Sequence, residues 1–288
     1  MAEIGFVTFA RVALAVGRAA LPAYRRKFSE RQLTQPQLLA VLCLMRDEDW
    51  TFREAALRLA EHRELREAVG LPVVPDDTTL YRFLRRLTEE ALAHTLRAVV
   101  HRVMPEMDGP ATVAVEATGL TPGAIRTFFV KRIKDRAPGV PWRHGLPWPM
   151  AIDVDRRVIL AQTARRGPTN DGAPWRPLVD AAHPRVSIAR VLADAACDRE
   201  RQPQHIRAVL QAQRILPAKR GGADWRMQGV RAQRPHDVPA PLYRRRSRIE
   251  RLIAAVTRQR SARAPGRTRS TPCLQALPLG LADHRYRL

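Results

Sequence analysis

Three acidic residues carry the best case for chemistry in this chain: Glu116, Asp194 and Glu250. Glu116 stands near the end of Thr112-Val113-Ala114-Val115-Glu116-Ala117, whose alternation reads as a strand. Asp194 closes the apolar run Val191-Leu192-Ala193-Asp194, the pattern of a buried strand reaching its carboxyl end. Ligands of open α/β sheets gather at strand carboxyl ends, so the two acids could face one crevice. Ile249, Leu252, Ile253 and Val256 form a helical core stripe. On a helix of about 100° per residue, Tyr243, Arg246, Glu250 and Thr257 fall within roughly 60° of one another beside that stripe. Three carboxylates so placed suit hard divalent ions. Two Mg²⁺ or Mn²⁺ ions in such a set would activate a nucleophile and stabilise the leaving oxygen in displacement at phosphorus. Taken singly, each acid also has an ordinary reading. A strand-end acid is more often solvated than ligating, and Arg246 with Glu250 reads equally as an i, i+4 surface pair.

The elements that must hold these residues follow from local patterns. The first hundred residues read as helices. Thr51-Phe52-Arg53-Glu54 is a capping box ahead of Phe52, Ala55, Ala56 and Leu59 at helical spacing, and Gly70 with Pro72 ends that region. Asp77 or Thr78 then caps a helix with an apolar stripe of Leu80, Phe83, Leu84 and Leu87. Its other face carries Arg82, Arg85 and Arg86, so the pair of helices reads either as helix-turn-helix or as a solvated arginine face on a small bundle. After Ala111 come a strand stopped by Gly119 and Pro122, a hairpin turning at Asp155-Arg156, a short helix through Leu178 and Val179, and a strand from Ile188 to Asp194. A helix through His205, Ile206 and Leu210, a short strand at Ile215-Leu216-Pro217 and a long helix from near Pro241 complete an α/β order.

Composition narrows the partners. Fifty Lys+Arg against 28 Asp+Glu give a formal charge of +22, and self-repulsion on that scale calls for an anionic partner, most simply nucleic acid. Cys43, Cys197 and Cys273 form no C-x-x-C pair, against a zinc site or a disulfide scaffold. Arg11 and Arg18 break the first apolar stretch too soon for a membrane span or a signal segment, so a soluble, cytoplasmic protein is expected. His144, Asp153, Asp155 and the tryptophans Trp142, Trp148, Trp175 and Trp225 read as structural rather than catalytic, with Asp153 able to support a site from an adjacent strand.

The run Tyr243-x-x-Arg246-x-x-x-Glu250 resembles the Y-R-E-K signature of insertion-sequence DDE transposases. The blocks VAVEATGL at 113–120, FFVKR at 128–132, ARRGPTNDGA at 164–173, VLADAACDRER at 191–201, LPAKRG at 216–221 and SARAPGR at 261–267 follow in matching order. The resemblance implies an RNase H-like core, a mixed five-stranded sheet flanked by helices over residues 106–288, behind an all-helical, DNA-binding segment 1–105. It puts Glu116, Asp194 and Glu250 in the places of the three metal-binding acids of a two-metal Mg²⁺ or Mn²⁺ site. It also implies DNA contacts from Tyr243, Arg246, Lys131, Arg132 and Lys219, beside Arg82, Arg85 and Arg86. The partners it implies are terminal inverted repeats and target DNA, bound by a homodimer at the nucleoid.

Three positions depart from the family. Glu116 stands where the family has Asp, and a misplacement of about 1 Å can cost on the order of 100-fold in rate. Thr257 takes the place of the signature lysine, and Arg258 lies about 100° around the helix. Pro278 falls in a C-terminal apolar helix, where an interior proline costs about 3 kcal/mol. A weakened copy is therefore expected, with a non-catalytic DNA-binding remnant or a metal-dependent nuclease of the same fold as the competing readings.

Overall fold

A computed structural model describes residues 4–24, 32–104, 109–121, 146–165, 175–193, 205–207, 210–215, 240–259, 263–265 and 270–286. Six helices come first: α1 Phe6–Ala20, α2 Gln35–Asp47, α3 Phe52–Glu61, α4 Arg63–Val69, α5 Asp77–Arg86 and α6 Glu89–Val103. The expected capping box opens α3. Thr51 Oγ1 accepts from the Glu54 N–H at 3.2 Å and Glu54 Oε2 from the Thr51 N–H at 2.6 Å. A second box, Thr34 with Gln37, opens α2. The cap of α5 is Asp76, one residue before the expected position, because its carboxylate reaches both the Thr79 N–H (2.5 Å) and the Thr78 hydroxyl (2.8 Å). Gly70 ends α4 in the left-handed conformation at φ 66, which a side chain would resist.

Among the described residues, five strands form one sheet: β1 Ala111–Leu120, β2 Leu146–Asp153, β3 Val158–Gln162, β4 Ile188–Leu192 and β5 Gln213–Ile215. Their order is β3-β2-β1-β4-β5. β2 runs antiparallel to β1 and β3, while β4 runs parallel to β1 and β5. The helix α7, Trp175–Ala182, lies between β3 and β4 in the chain and packs on β1, β2 and β3. Gly119 does not stop β1, since β2 offers partners as far as Gly119↔Pro147 and Leu120↔Leu146. Glu116 is therefore mid-strand, opposite Met150. The prolines at 147 and 149 fit the strand because that edge uses only their carbonyls, which accept from the Arg165 and Thr163 N–H groups at 3.0 Å each.

The β2–β3 turn is longer than expected, with four residues between the paired Asp153 and Val158. Asp153 makes it so. Its Oδ1 accepts the N–H groups of Asp155 (2.9 Å) and Arg156 (3.1 Å), and Arg157 closes the turn at φ 56.

Three helices follow: α8 Ala240–Arg244, α9 Ser247–Gln259 and α10 Thr271–Asp283. α9 packs on β1, whereas α10 packs on α2, α5 and α6 and on β2 and β3, so one apolar core runs through the helices and the sheet. Trp148 and Trp175 are wholly buried in it. Pro278 does not interrupt α10. Buried Leu274, Leu277, Leu279 and Leu281 each contribute about 1.5–3 kcal/mol, which together exceeds the proline's cost of about 3 kcal/mol. Gln162 pins the helix there, donating to the Leu277 carbonyl at 2.8 Å while accepting from Trp148 Nε1 at 3.0 Å. No helix among the described residues is long and apolar enough to cross a membrane.

Candidate functional site

Two of the three acids meet at one cation. Strand alternation puts Ala114, Glu116 and Thr118 on one face of β1, and α9 packs on β1. Arg246 Nη2 donates to Glu116 Oε2, and Arg246 Nη1 donates to Glu250 Oε1 at 3.1 Å. A single planar guanidinium thus spans a strand residue and a helix residue 134 positions apart in number, 116 and 250. The Arg246 and Glu116 side chains are 16% and 21% exposed and Glu250 is 54% exposed, so the cluster is shielded at Glu116 and open to solvent at Glu250. Glu250 sits in the first turn of α9, where the helix dipole favours a carboxylate.

The long helix expected from Pro241 is two helices. Around Arg245 and Arg246 the ladder tightens to i→i−3 bonds: Arg245 N–H to Leu242 O (3.1 Å), Arg246 to Tyr243 (2.9 Å), Arg248 to Arg245 (3.0 Å) and Ile249 to Arg246 (3.0 Å). Three residues per turn instead of 3.6 rotates the downstream helix, so a uniform 100° wheel does not hold from Tyr243 to Thr257. The core stripe is as expected, with Ile249, Leu252, Ile253 and Val256 all buried. Tyr243 packs half-buried against the apolar core. Thr257 turns its hydroxyl back onto the Ile253 carbonyl at 2.8 Å, and Arg258 Nε does the same to Ala254 at 3.1 Å.

Arg82, Arg85 and Arg86 are exposed along α5, with the Arg85 guanidinium 5.9 Å from the Tyr81 ring. Asp194, Lys131, Arg132, Lys219, His144, Cys197, Trp142 and Trp225 lie outside the described residues. Among the described residues no cluster of three His, Cys, Asp or Glu side chains forms a metal site. Cys43 is an inert core thiol, pushed up to about 12 by burial and, less, by Asp47.

Two features carried no local signal. Asp155 binds both Arg245 and Arg248, the latter at 2.8 Å, tying the β2–β3 turn to the α8–α9 junction. The other is at the end of β1, where Thr121 bridges to Arg263 and accepts the Ala264 N–H at 2.8 Å. Arg46, buried at the end of α2, holds the Arg263 carbonyl at 2.6 Å. The described part of the SARAPGR block is thereby fixed five residues along the chain from Glu116.

The arrangement places two carboxylates around one positive charge on a rigid sheet, with a third acid close in sequence to the end of a parallel neighbouring strand. Hard oxygen donors already sharing a cation are the donor set that Mg²⁺ or Mn²⁺ takes. Comparison with known proteins agrees with this chemistry. No curated protein matches the sequence. Residues 115–271, more than half of the chain and spanning Glu116, Arg246 and Glu250, match the transposase DDE domain. This chain belongs to the DDE transposase family.

Proposed function

We propose that this protein is an insertion-sequence DNA transposase with an RNase H-like core, in which Glu116, Asp194 and Glu250 hold Mg²⁺ or Mn²⁺. The observation that carries the reading is the convergence of Glu116 and Glu250 on Arg246. The sheet order β3-β2-β1-β4-β5, with the first acid on its central strand, supports it. So does the register. Ala114 of β1 pairs with Leu192, the last residue of β4, and Glu116 and Asp194 each follow two residues later in the sequence. Bound there, the ions supply an activated water or 3′-hydroxyl and charge stabilisation at the leaving oxygen.

The chain's own residues then have distinct tasks. Glu116 gives a rigid ligand from β1, and Glu250 a more mobile one from the first turn of α9. Arg246 screens the mutual repulsion of the two carboxylates until an ion takes its place. Arg82, Arg85 and Arg86, within the helical segment 1–105, add phosphate contacts to those of Tyr243, Lys131, Arg132 and Lys219, and a homodimer on paired ends engages the terminal repeats. The Y-R-E-K signature is present without its lysine.

A second reading has a specific observation behind it. Thr257 stands where the signature has its lysine and turns its hydroxyl onto the Ile253 carbonyl, so it supplies no charge at that position and this copy would bind DNA better than it cuts it. Nicking of a duplex bearing the flanking inverted repeat separates the two. With Mg²⁺ or Mn²⁺ the transposase reading expects nicks and joined strands, increased by Glu116→Asp. Salt-sensitive binding with no cleavage under either metal, and no gain from that substitution, would leave the DNA-binding remnant. Cleavage without joined products would mark a nuclease.

A further inference from the structure

The turn between β2 and β3 meets the junction between α8 and α9 at one carboxylate. Asp153 is fully buried and holds the turn from beneath, through the Asp155 and Arg156 N–H groups and through Arg156 Nη1 at 2.6 Å. Above it, Asp155 Oδ1 accepts from Arg245 Nη2 and from Arg248 Nη1 (2.8 Å), and Arg248 Nη1 also reaches the Val154 carbonyl at 3.4 Å. Arg245 and Arg248 flank Arg246, the residue that joins Glu116 to Glu250. Asp155 therefore grips the junction on both sides of the cation that organises the site.

We propose that Asp155 is a positioning residue for the Glu116–Arg246–Glu250 site, setting the rotation of α9 so that Arg246 and Glu250 stay aimed at Glu116. The inference rests on the metal-site reading above. The apolar stripe of α9 fixes how deeply the helix sits, but hydrophobic burial is non-directional and tolerates rotation. The i→i−3 ladder at the junction has poorer hydrogen-bond geometry than an α-helix and gives little resistance. A carboxylate holding two charged donors is directional. At the outer radius of a helix, about 5–6 Å, a rotation of about 20° moves a side chain by about 2 Å. Glu250, half exposed and tied to the site through Arg246, would swing away from Glu116. Asp155 is itself 40% exposed, so its ion pairs add little to global stability. Its effect is geometric.

Mn²⁺ binding to the full chain, read from the loss of the free-ion electron paramagnetic resonance signal, tests this without requiring catalysis. Glu116→Gln and Asp155→Ala are each expected to weaken binding about 10-fold, the scale seen when residues supporting metal ligands are removed. Asp155→Glu should recover most of the loss, with the unfolding midpoints of both Asp155 variants unchanged. Weakening by Glu116→Gln together with wild-type affinity in Asp155→Ala overturns the positioning role and leaves the metal site standing. Failure of Asp155→Glu to recover binding also overturns it, because the turn rather than the carboxylate's grip is then responsible. No effect of Glu116→Gln removes the metal-site reading and this inference with it. Should Asp155→Ala not fold, Arg248→Gln loosens the same grip from the helix side, with the same expected loss and the same refutation.

Discussion

Replacing Arg246 by alanine leaves two carboxylates facing each other with their shared cation gone. Exposed pairs are worth about 0–1 kcal/mol, and breaking a buried pair costs about 3–5 kcal/mol. The Arg246–Glu116 contact lies between these limits, at 16% and 21% exposure, while Glu250 is 54% exposed and relaxes into solvent. A loss of about 2 kcal/mol is expected. The effect on Mn²⁺ has the opposite sign. In the wild type an incoming ion competes with the guanidinium for Glu116; in the variant that competition is gone, while Asp155 still holds Arg245 and Arg248 at the start of α9. Affinity should rise about 10-fold, or about 1.4 kcal/mol. Urea unfolding with and without Mn²⁺ reads both effects, since an ion at 100 times its dissociation constant stabilises by about 2.7 kcal/mol. The reasoning fails if Arg246→Ala is as stable as wild type without metal, or if Mn²⁺ stabilises the variant no more than the wild type. The second result would mean that the ion binds elsewhere.

Two further outcomes rest on other parts of the fold. Arg285 donates to Asp47 and to the Ile4 carbonyl (3.2 Å) and lies over the Phe6 and Phe9 rings at 5.5 and 5.6 Å. Since Asp47 is only 2% exposed, Arg285→Ala should cost about 3–5 kcal/mol in urea unfolding, and a loss below about 1 kcal/mol would refute the clamp. Asp76→Ala should cost about 1 kcal/mol near neutral pH through loss of the α5 cap. The Thr79 N–H, and after it the Thr78 hydroxyl, hold the Asp76 carboxyl below its usual range, so its contribution is present above the unfolded value of about 3.9 and is lost as pH falls further. The stability gap between variant and wild type should therefore close on acidification below about pH 4, and a gap that persists there would refute the carboxylate's role.

Local patterns were legible; long-range polar contacts were not. The Thr51–Glu54 box, the stripe Ile249-Leu252-Ile253-Val256 and the order of strands and helices follow from spacing over a few residues. Spacing of that kind reports which face meets the core. The break at Arg245–Arg246 had one local cue, Ser247-Arg248-Ile249-Glu250 in the S-x-x-E pattern of a helix start, although Arg-Arg-Arg-Ser contains neither Gly nor Pro. The Asp155 carboxylate, in a turn 90 residues earlier in the chain, meets Arg245 at that break, and such a contact sets no local period. Arg285 and Asp47, 238 residues apart, are invisible for the same reason. Glu116 and Glu250 could be singled out from the sequence, but not that Arg246 would link them. An arginine one helical turn before Glu250 predicts an i, i+4 pair and says nothing of a strand partner.

The three departures from the family differ in what they cost the molecule. Pro278 is absorbed by the burial of α10, and Thr257 satisfies its hydroxyl on its own helix, so neither strains the fold. Glu116 differs in kind. Its carboxylate is the end of an arm from a rigid strand, and its length decides where it meets Arg246. An aspartate at this position would draw that oxygen back toward β1 by somewhat over ~1 Å, on the order of the misplacement that costs 100-fold in rate. Arg246 and Glu250 could follow it only if α9 rotated or shifted, which the Asp155 grip on Arg245 and Arg248 opposes. The present junction is thus matched to a glutamate. Glu116→Asp should therefore raise nicking by well under about 100-fold, because α9 holds Arg246 and Glu250 where a glutamate reaches them. No gain, while the unsubstituted chain still nicks with Mg²⁺ or Mn²⁺, would show that the residue at 116 is not what limits this copy.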